Sequence, residues 1–203
     1  TLFSAQGIKN YIGGVILFDE TIRQKSSTGI PIPELIKNNG AIPGIKVDKG
    51  AKKLAGSIDE TITEGLDGLR DRLKEYYDLG AKFTKWRAVY KITSNFPSSQ
   101  CIKSNAHALA RYASLVQEAN MVPIVEPEVL MDGDHNMEKC FQVTTDVLNE
   151  CYNELALHKV NLKGTVLKPN MILPGIDCRN KVNSTEIAKK TIQCLKKNVP
   201  GKV

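Results

Sequence analysis

Apolar positions along this chain switch repeatedly between two periods: short continuous or alternating runs, then longer stretches with an apolar side chain every third or fourth residue. Gly13-Gly14-Val15-Ile16-Leu17-Phe18 predicts a buried strand, followed by a polar stretch and a short helix near Pro33 to Lys37, with Gly40 placed to end it. A strand at Ile45 to Val47 comes next. Ile62, Leu66, Leu69, Leu73 and Tyr76 follow helical spacing and predict one long helix from Asp59 to Leu79, with Ser57 and Glu60 as a capping box and Gly80 at its end. Beyond it the pattern predicts a strand from Lys82 to Ile92, a helix from Ser98 or Ser99 to about Glu118, and a strand from Val122 to Val129. A helix through Met137, Phe141, Thr144, Leu148, Cys151 and Leu155, a strand from Gly164 to Leu167, and a helix from Ser184 to Lys197 capped by Asn183 and Glu186 complete the chain.

The strand ends recur at intervals of roughly 30 to 40 residues, each filled mainly by a helix, which is a β/α repeat and implies a parallel sheet. Such a sheet either stays open and doubly wound or closes into a (β/α) barrel. Neither G-x-G-x-x-G nor G-x-x-x-x-G-K-[ST] occurs, so nothing marks the phosphate loop of an open nucleotide-binding sheet. Charged residues at successive strand C-termini are instead how a barrel assembles its site. Five repeats, however, are too few to close eight strands.

Composition narrows the function classes. At 203 residues, 41% hydrophobic and 25% charged, the chain is ordinary for a soluble globular domain. No run approaches the ~18 apolar residues of a membrane span, and the start at Thr1-Leu2-Phe3-Ser4-Ala5 has no signal-peptide pattern, so membrane insertion is not expected. The missing initiator methionine points to a longer polypeptide. The net charge of +6 is spread along the chain rather than gathered in a stripe, which argues against nucleic acid and for solvated helix faces. Five widely spaced cysteines without C-x-x-C suit reduced thiols in the cytosol.

The candidate chemistry sits at the strand ends. Val166-Leu167-Lys168-Pro169-Asn170 places a lysine at the end of an apolar strand, which predicts a buried amine. Burial strips an ammonium of hydration and favours the neutral amine that attacks carbonyls. Residues two apart share a strand face, so Lys46 with Asp48, Lys85 with Arg87, and Glu126 with Glu128 point together into the interior that Lys168 also enters. Four cations facing three anions could form a purely structural ion-pair network. Delivery of charge by four successive strand ends favours a site: carbonyl chemistry through a lysine Schiff base, a carboxylic acid to move protons, and basic residues for an anionic substrate.

At these residues the chain resembles class I fructose-1,6-bisphosphate aldolase. The likeness rests on Gly44-Ile-Lys-Val-Asp-Lys-Gly50, Lys85-Trp-Arg87, Ile124-Val-Glu-Pro-Glu128 and Leu167-Lys-Pro-Asn-Met171, and extends through Gly13 to Phe18, Gly65 to Gly68, Ala110 to Ala113 and Asp132 to His135. The resemblance implies a (β/α)8 TIM barrel, with this chain a single partial domain covering about strands two to six. It implies that Lys168 forms the Schiff base, Glu126 moves protons, Lys85 stabilises charge, Glu128 holds the lysines in place, and Lys46 and Arg87 contact a substrate phosphate. It implies neither metal nor other cofactor, a cytoplasmic homotetramer, and a phosphorylated sugar as substrate. The family's first barrel strand, with the aspartate acting on the C4 hydroxyl, its last two strands, and the C1-phosphate residues have no counterpart in these 203 residues. An arc with open edges is expected to be unstable and inactive alone, and a well-folded monomer of this length would contradict that.

Other features point elsewhere. Asp132-Gly133-Asp134-His135 reads as a loop, His107 and His158 as helix-surface residues, and three scattered histidines as no zinc site. Trp86, between two inward cations, should face outward against a helix. Two alternatives remain open: a non-catalytic scaffold binding actin or acidic peptide tails, and another Schiff-base barrel lyase of the transaldolase kind.

Overall fold

The computed structural model describes residues 2–5, 7–180 and 182–203. The chain runs β1 (Gly14–Leu17), α1 (Asp19–Ile22), α2 (Ile32–Asn38), β2 (Ile42–Lys46), β3 (Ala51–Lys53), β4 (Thr61–Thr63), α3 (Leu69–Asp78), β5 (Phe83–Tyr90), α4 (Ser99–Glu118), β6 (Val122–Val129), α5 (Met137–Leu157), β7 (Val166–Leu167) and α6 (Ser184–Asn198). Five strands form one parallel sheet in the order β1-β2-β5-β6-β7, and β3 and β4 form a separate antiparallel hairpin. Each parallel strand lies beside its predecessor. A doubly wound sheet reverses its order part-way across, so this order is the arc of a (β/α)8 barrel.

Helix limits follow from caps at both ends. The side chains of Ser98, Asn136 and Asn183 accept hydrogen bonds from the backbone N–H groups of Cys101, Lys139 and Glu186, satisfying donors that the first turns of α4, α5 and α6 leave free. Beyond the C-caps of α2, α3, α4 and α5 the backbone turns left-handed at Gly40, Gly80, Asn120 and Lys159.

The expected helix from Asp59 to Leu79 is present only in its second half. Thr61, Ile62 and Thr63 form β4, and α3 begins at Leu69. Two physical causes outweigh the apolar spacing: the β-branched Thr-Ile-Thr run favours a strand, and Gly65 and Gly68 take positive φ of 132° and 62°. Ser57 and Glu60 do hydrogen-bond at 2.9 Å, but Glu60 caps a different helix. Its carboxylate accepts from Ser98 N at 2.7 Å and Ser98 Oγ at 2.6 Å at the start of α4. Burial would push the Glu60 carboxyl up, yet these hydroxyl and amide donors hold it below its ordinary range. Asn105 in α4 adds a bond from Thr63 N (3.1 Å) and one to Thr61 O (2.9 Å), while Thr63 Oγ1 donates to Arg87 O at 2.8 Å. The hairpin thereby braces β5 at Arg87, two residues beyond Lys85.

The sheet has two unlike faces. On β5, Thr84, Trp86, Ala88 and Tyr90 are fully buried beneath helices, with Trp86 against Tyr112 of α4 at 5.4 Å between ring centroids. Trp86 thus faces outward as its position between two cations required. The opposite face carries Phe83, Lys85, Arg87 and Val89, none of them buried. Along that open face Ile16, Ile42, Val122 and Val166 are 38%, 51%, 39% and 47% exposed. Apolar side chains in such a row have the spacing of a core layer rather than of a solvent face.

Phe83 lies across this face over two glycines. A Cβ on Gly14 would stand 2.9 Å from the Phe83 ring, and one on Gly44 closer still. Gly44→Ala should therefore lower stability by about 1–3 kcal/mol, the usual effect of overpacking. Gly13→Ala is the control, because nothing lies within 4 Å of its Cβ position. Urea midpoints of the two variants make the comparison, and equal midpoints would count against this packing.

Candidate active site

Parallel pairing sets the site. Lys46 is in register with Lys85, Lys85 with Ile124, and Arg87 with Glu126, while the Lys168 N–H continues the ladder of β7 onto Val125 O at 2.9 Å. Neighbours in register project from the same sheet face, so these strand ends deliver Lys46, Lys85, Arg87, Glu126, Glu128 and Lys168 to one side. The chain beyond Lys168 is fastened rather than loose. Asn170 Oδ1 accepts from Val129 N at 3.2 Å, and its Nδ2 donates to Thr144 Oγ1 at 3.1 Å. Further on, the N–H groups of Gly175, Ile176 and Asp177 donate to the carbonyls of His135, Met131 and Gly133 at 2.7, 2.8 and 3.0 Å. Gly175 lies so close to the Gly133 backbone that no Cβ fits between them.

Glu126 is the centre of the charge network. Its side chain is 3% exposed, Lys85 Nζ donates to one carboxylate oxygen at 2.8 Å, and Lys168 Nζ donates to the other. Arg87 Nε lies 4.0 Å away and donates to Glu128. Burial pushes the Glu126 carboxyl up, but the two lysine hydrogen bonds and both charges outweigh it and hold the group below its ordinary range. Next to it Lys46 Nζ donates to Asp48 Oδ1 at 2.6 Å and to Asp48 O at 3.0 Å. Asp48 also accepts from the N–H of Gly50 at 3.1 Å and of Arg87 at 3.3 Å, so it joins the end of β2 to β5.

Such an arrangement can move a proton. An ionised carboxylate only accepts hydrogen bonds, so each oxygen of Glu126 faces a different amine, and a proton leaving Lys168 has an acceptor already in contact.

Two expectations need correction. Lys168 is not buried: its side chain is 56% exposed, because among the described residues β7 pairs only with β6 and the face it enters is open. Its distinction is the shared carboxylate, not desolvation. Glu128 does not hold the lysines either. It lies one register step beyond Glu126, opposite Val89, and from there reaches the Arg87 guanidinium.

The histidines also differ from expectation. His135 sits in the expected loop but is 8% exposed, and burial pushes its pKa down, favouring the neutral ring. His107 and His158, far apart in sequence, meet at Glu154: His107 Nδ1 lies 3.0 Å from Glu154 Oε2 and His158 Nδ1 3.5 Å from the same oxygen. The Glu154-x-x-x-His158 spacing was visible in the sequence, but His107 joins it only through the packing of α4 on α5. All five cysteines are free and buried. Among the described residues, no helix is long and apolar enough to cross a membrane.

Comparison with known proteins places the chain as a whole. The family model for glycolytic fructose-bisphosphate aldolase class-I matches residues 1–203. The probable fructose-bisphosphate aldolase class 1 of Xanthomonas campestris pv. campestris is 53% identical over 200 residues, which are 98% of this chain and 60% of that protein. Fructose-bisphosphate aldolase 4, cytosolic, of Arabidopsis thaliana is 53% identical over 202 residues, 100% of this chain and 51% of its own length. The fructose-bisphosphate aldolase of Plasmodium falciparum, solved in complex with TRAP and a small-molecule inhibitor, matches with a TM-score of 0.96 and 43% identity over 98% of this chain and 58% of that one. The chain thus spans between half and three-fifths of the length of these relatives. Matched from end to end by one family model, with half its residues shared with that family's bacterial and plant members, the chain belongs to the class I fructose-bisphosphate aldolases.

Proposed function

We propose that the protein cleaves fructose 1,6-bisphosphate reversibly to dihydroxyacetone phosphate and glyceraldehyde 3-phosphate through a Schiff base on Lys168. The observation that carries the proposal is the single buried carboxylate, Glu126, hydrogen-bonded to two lysines beside an arginine in a chain of this family. Lys168 passes a proton to Glu126 and attacks the substrate ketone. The carbinolamine loses water, with Glu126 returning the proton to the departing hydroxyl, and leaves an iminium. The iminium draws electrons from the C3–C4 bond, glyceraldehyde 3-phosphate departs, and the resulting enamine is protonated and hydrolysed to dihydroxyacetone phosphate and free Lys168. Lys85, bonded to the same carboxylate, offsets the charge that Glu126 carries between steps. Arg87 and Lys46 are assigned to a substrate phosphate, for which a guanidinium fork and an ammonium are suited. Glu128 aims the Arg87 fork.

The open sheet face fits the interior of a barrel whose remaining strands lie outside these residues, and closure by them would cover Ile16, Ile42, Val122 and Val166 and enclose Lys168. The base for the C4 hydroxyl belongs to that remainder. Plant relatives named cytosolic or cytoplasmic support a cytoplasmic location, and a homotetramer is the assembly the family likeness suggests. One finding favours an added binding role: the Plasmodium relative was solved with TRAP bound. Retention of a protein partner by a Lys168 variant would separate that role from catalysis. The transaldolase-like reading loses ground to the identity of 53% with named aldolases.

The test is turnover of fructose 1,6-bisphosphate by the protein purified from its own cells at native length. Triose phosphate release that continues in excess EDTA is expected, since the iminium replaces a metal as electron sink. Absence of release, or its loss on chelation, would refute the proposal.

A further inference from the structure

The meeting of His107, Glu154 and His158 is a cluster that the proposed reaction does not use. It lies on α4 and at the end of α5, helices packed behind Trp86 and Tyr112, whereas the lysines and Glu126 project from the other face of the sheet. A ring nitrogen from each histidine and a carboxylate oxygen of Glu154 lie within 4.8 Å of one another. Tetrahedral zinc, with bonds of about 2.0–2.2 Å, holds its ligand atoms about 3.3–3.6 Å apart, so modest side-chain rotation brings the three into range. Two histidines and a glutamate leave a fourth position for water, and His107, 51% exposed, opens it to solvent.

The orientation of His158 is the second observation. Its Nδ1, the ring nitrogen 3.5 Å from Glu154 Oε2, also lies 2.9 Å from the backbone carbonyl of Glu154, which can only accept, so Nδ1 carries the proton and Nε2 is the nitrogen whose lone pair is left for a metal. Metal-binding histidines are held in this way, with the other ring nitrogen donating to a carbonyl or carboxylate. Glu154 and His158 are one helical turn apart and share a face, and His107 approaches from the neighbouring helix with its ring edge-on to that of His158 at 4.9 Å. An ion pair between His107 and Glu154 would need only one of the two rings.

We propose that His107, Glu154 and His158 form a zinc-class transition-metal site that clamps α4 to α5 on the outer surface of the sheet. Binding replaces the His107–Glu154 hydrogen bond with two bonds to the metal. Imidazole nitrogen with one carboxylate favours zinc, nickel or copper over magnesium or calcium. The clamp raises thermal stability without entering the reaction.

The test is a zinc titration of the native-length protein under reducing conditions, beside His107→Ala and His158→Ala, with Co²⁺ as spectroscopic probe. Expected are one saturable site per chain, a higher Tm with zinc, an at least ten-fold weaker site in either variant, and cobalt bands without thiolate charge transfer. Aldol cleavage by zinc-free His107→Ala should equal that of the unsubstituted protein. No saturable site, unchanged affinity in the variants, or a thiolate band pointing to a cysteine site would overturn the proposal.

Discussion

Lys168→Met should leave the native-length protein folded and lower its turnover of fructose 1,6-bisphosphate by about 10⁴-fold or more, the scale at which losing a covalent nucleophile is felt. Folding survives because the backbone bond from Lys168 to Val125 O does not depend on the side chain. Methionine keeps the length and removes only the amine. Glu126 then retains Lys85 as partner, so no buried charge is stranded. The loss should fall on kcat, with KM little changed, because the proposed mechanism assigns the substrate anion to Lys46 and Arg87 rather than to Lys168. Circular dichroism beside steady-state kinetics makes the check. Turnover within ten-fold of the unsubstituted enzyme would remove Lys168 from the mechanism.

Glu126→Gln is the second large effect and acts on both stability and rate. The amide keeps the shape of the carboxylate but turns one acceptor into a donor, so one of Lys85 and Lys168 loses its acceptor and faces an N–H group. Breaking a fully buried pair costs about 3–5 kcal/mol; because the amide oxygen still accepts from one of the two lysines, about 2 kcal/mol is expected. Turnover should fall by about 10²- to 10⁴-fold, the range for a displaced general acid–base group. The stability difference also has a pH signature. Because the folded-state pKa of Glu126 lies below the ordinary carboxylate value of 4.5, its contribution is fully present above that value. It is lost as pH falls through the folded-state pKa. Urea unfolding of the two proteins should therefore differ most near neutrality and converge in acid. A gap that widened as pH fell would contradict the assignment of Glu126 as the ionised partner of both lysines.

Much of this was legible in the residue pattern, for identifiable reasons. Strands β5 and β6 alternate an apolar or small outward row with an inward row that carries Lys85, Arg87, Glu126 and Glu128, and a period of two assigns each side chain to its face without knowledge of the neighbours. Caps such as Ser98, Asn136 and Asn183 act within one turn, so sequence contains their whole cause. Failures came where the cause was local conflict or distant packing. Ile62 and Leu66 kept helical spacing with Leu69 and Leu73, but β-branched residues and positive-φ glycines decided the backbone before Leu69. The exposure of Lys168 depends on what covers the open face, which no run of residues around it reveals. Glu128 and Glu126 are indistinguishable by period, since both point inward, and only the side-chain hydrogen bonds show which one lies between the lysines. His107 meets His158 through a helix pairing that spacing within one helix cannot express.

Borohydride reduction in the presence of fructose 1,6-bisphosphate, followed by peptide mass spectrometry of the native-length protein, tests the central claim most directly. The account predicts one reduced dihydroxyacetone phosphate or hexose bisphosphate adduct per chain, carried by the peptide containing Lys168 and absent from Lys168→Met. An adduct on Lys85 or Lys46 instead, or no adduct in a protein that still cleaves the substrate, would contradict it.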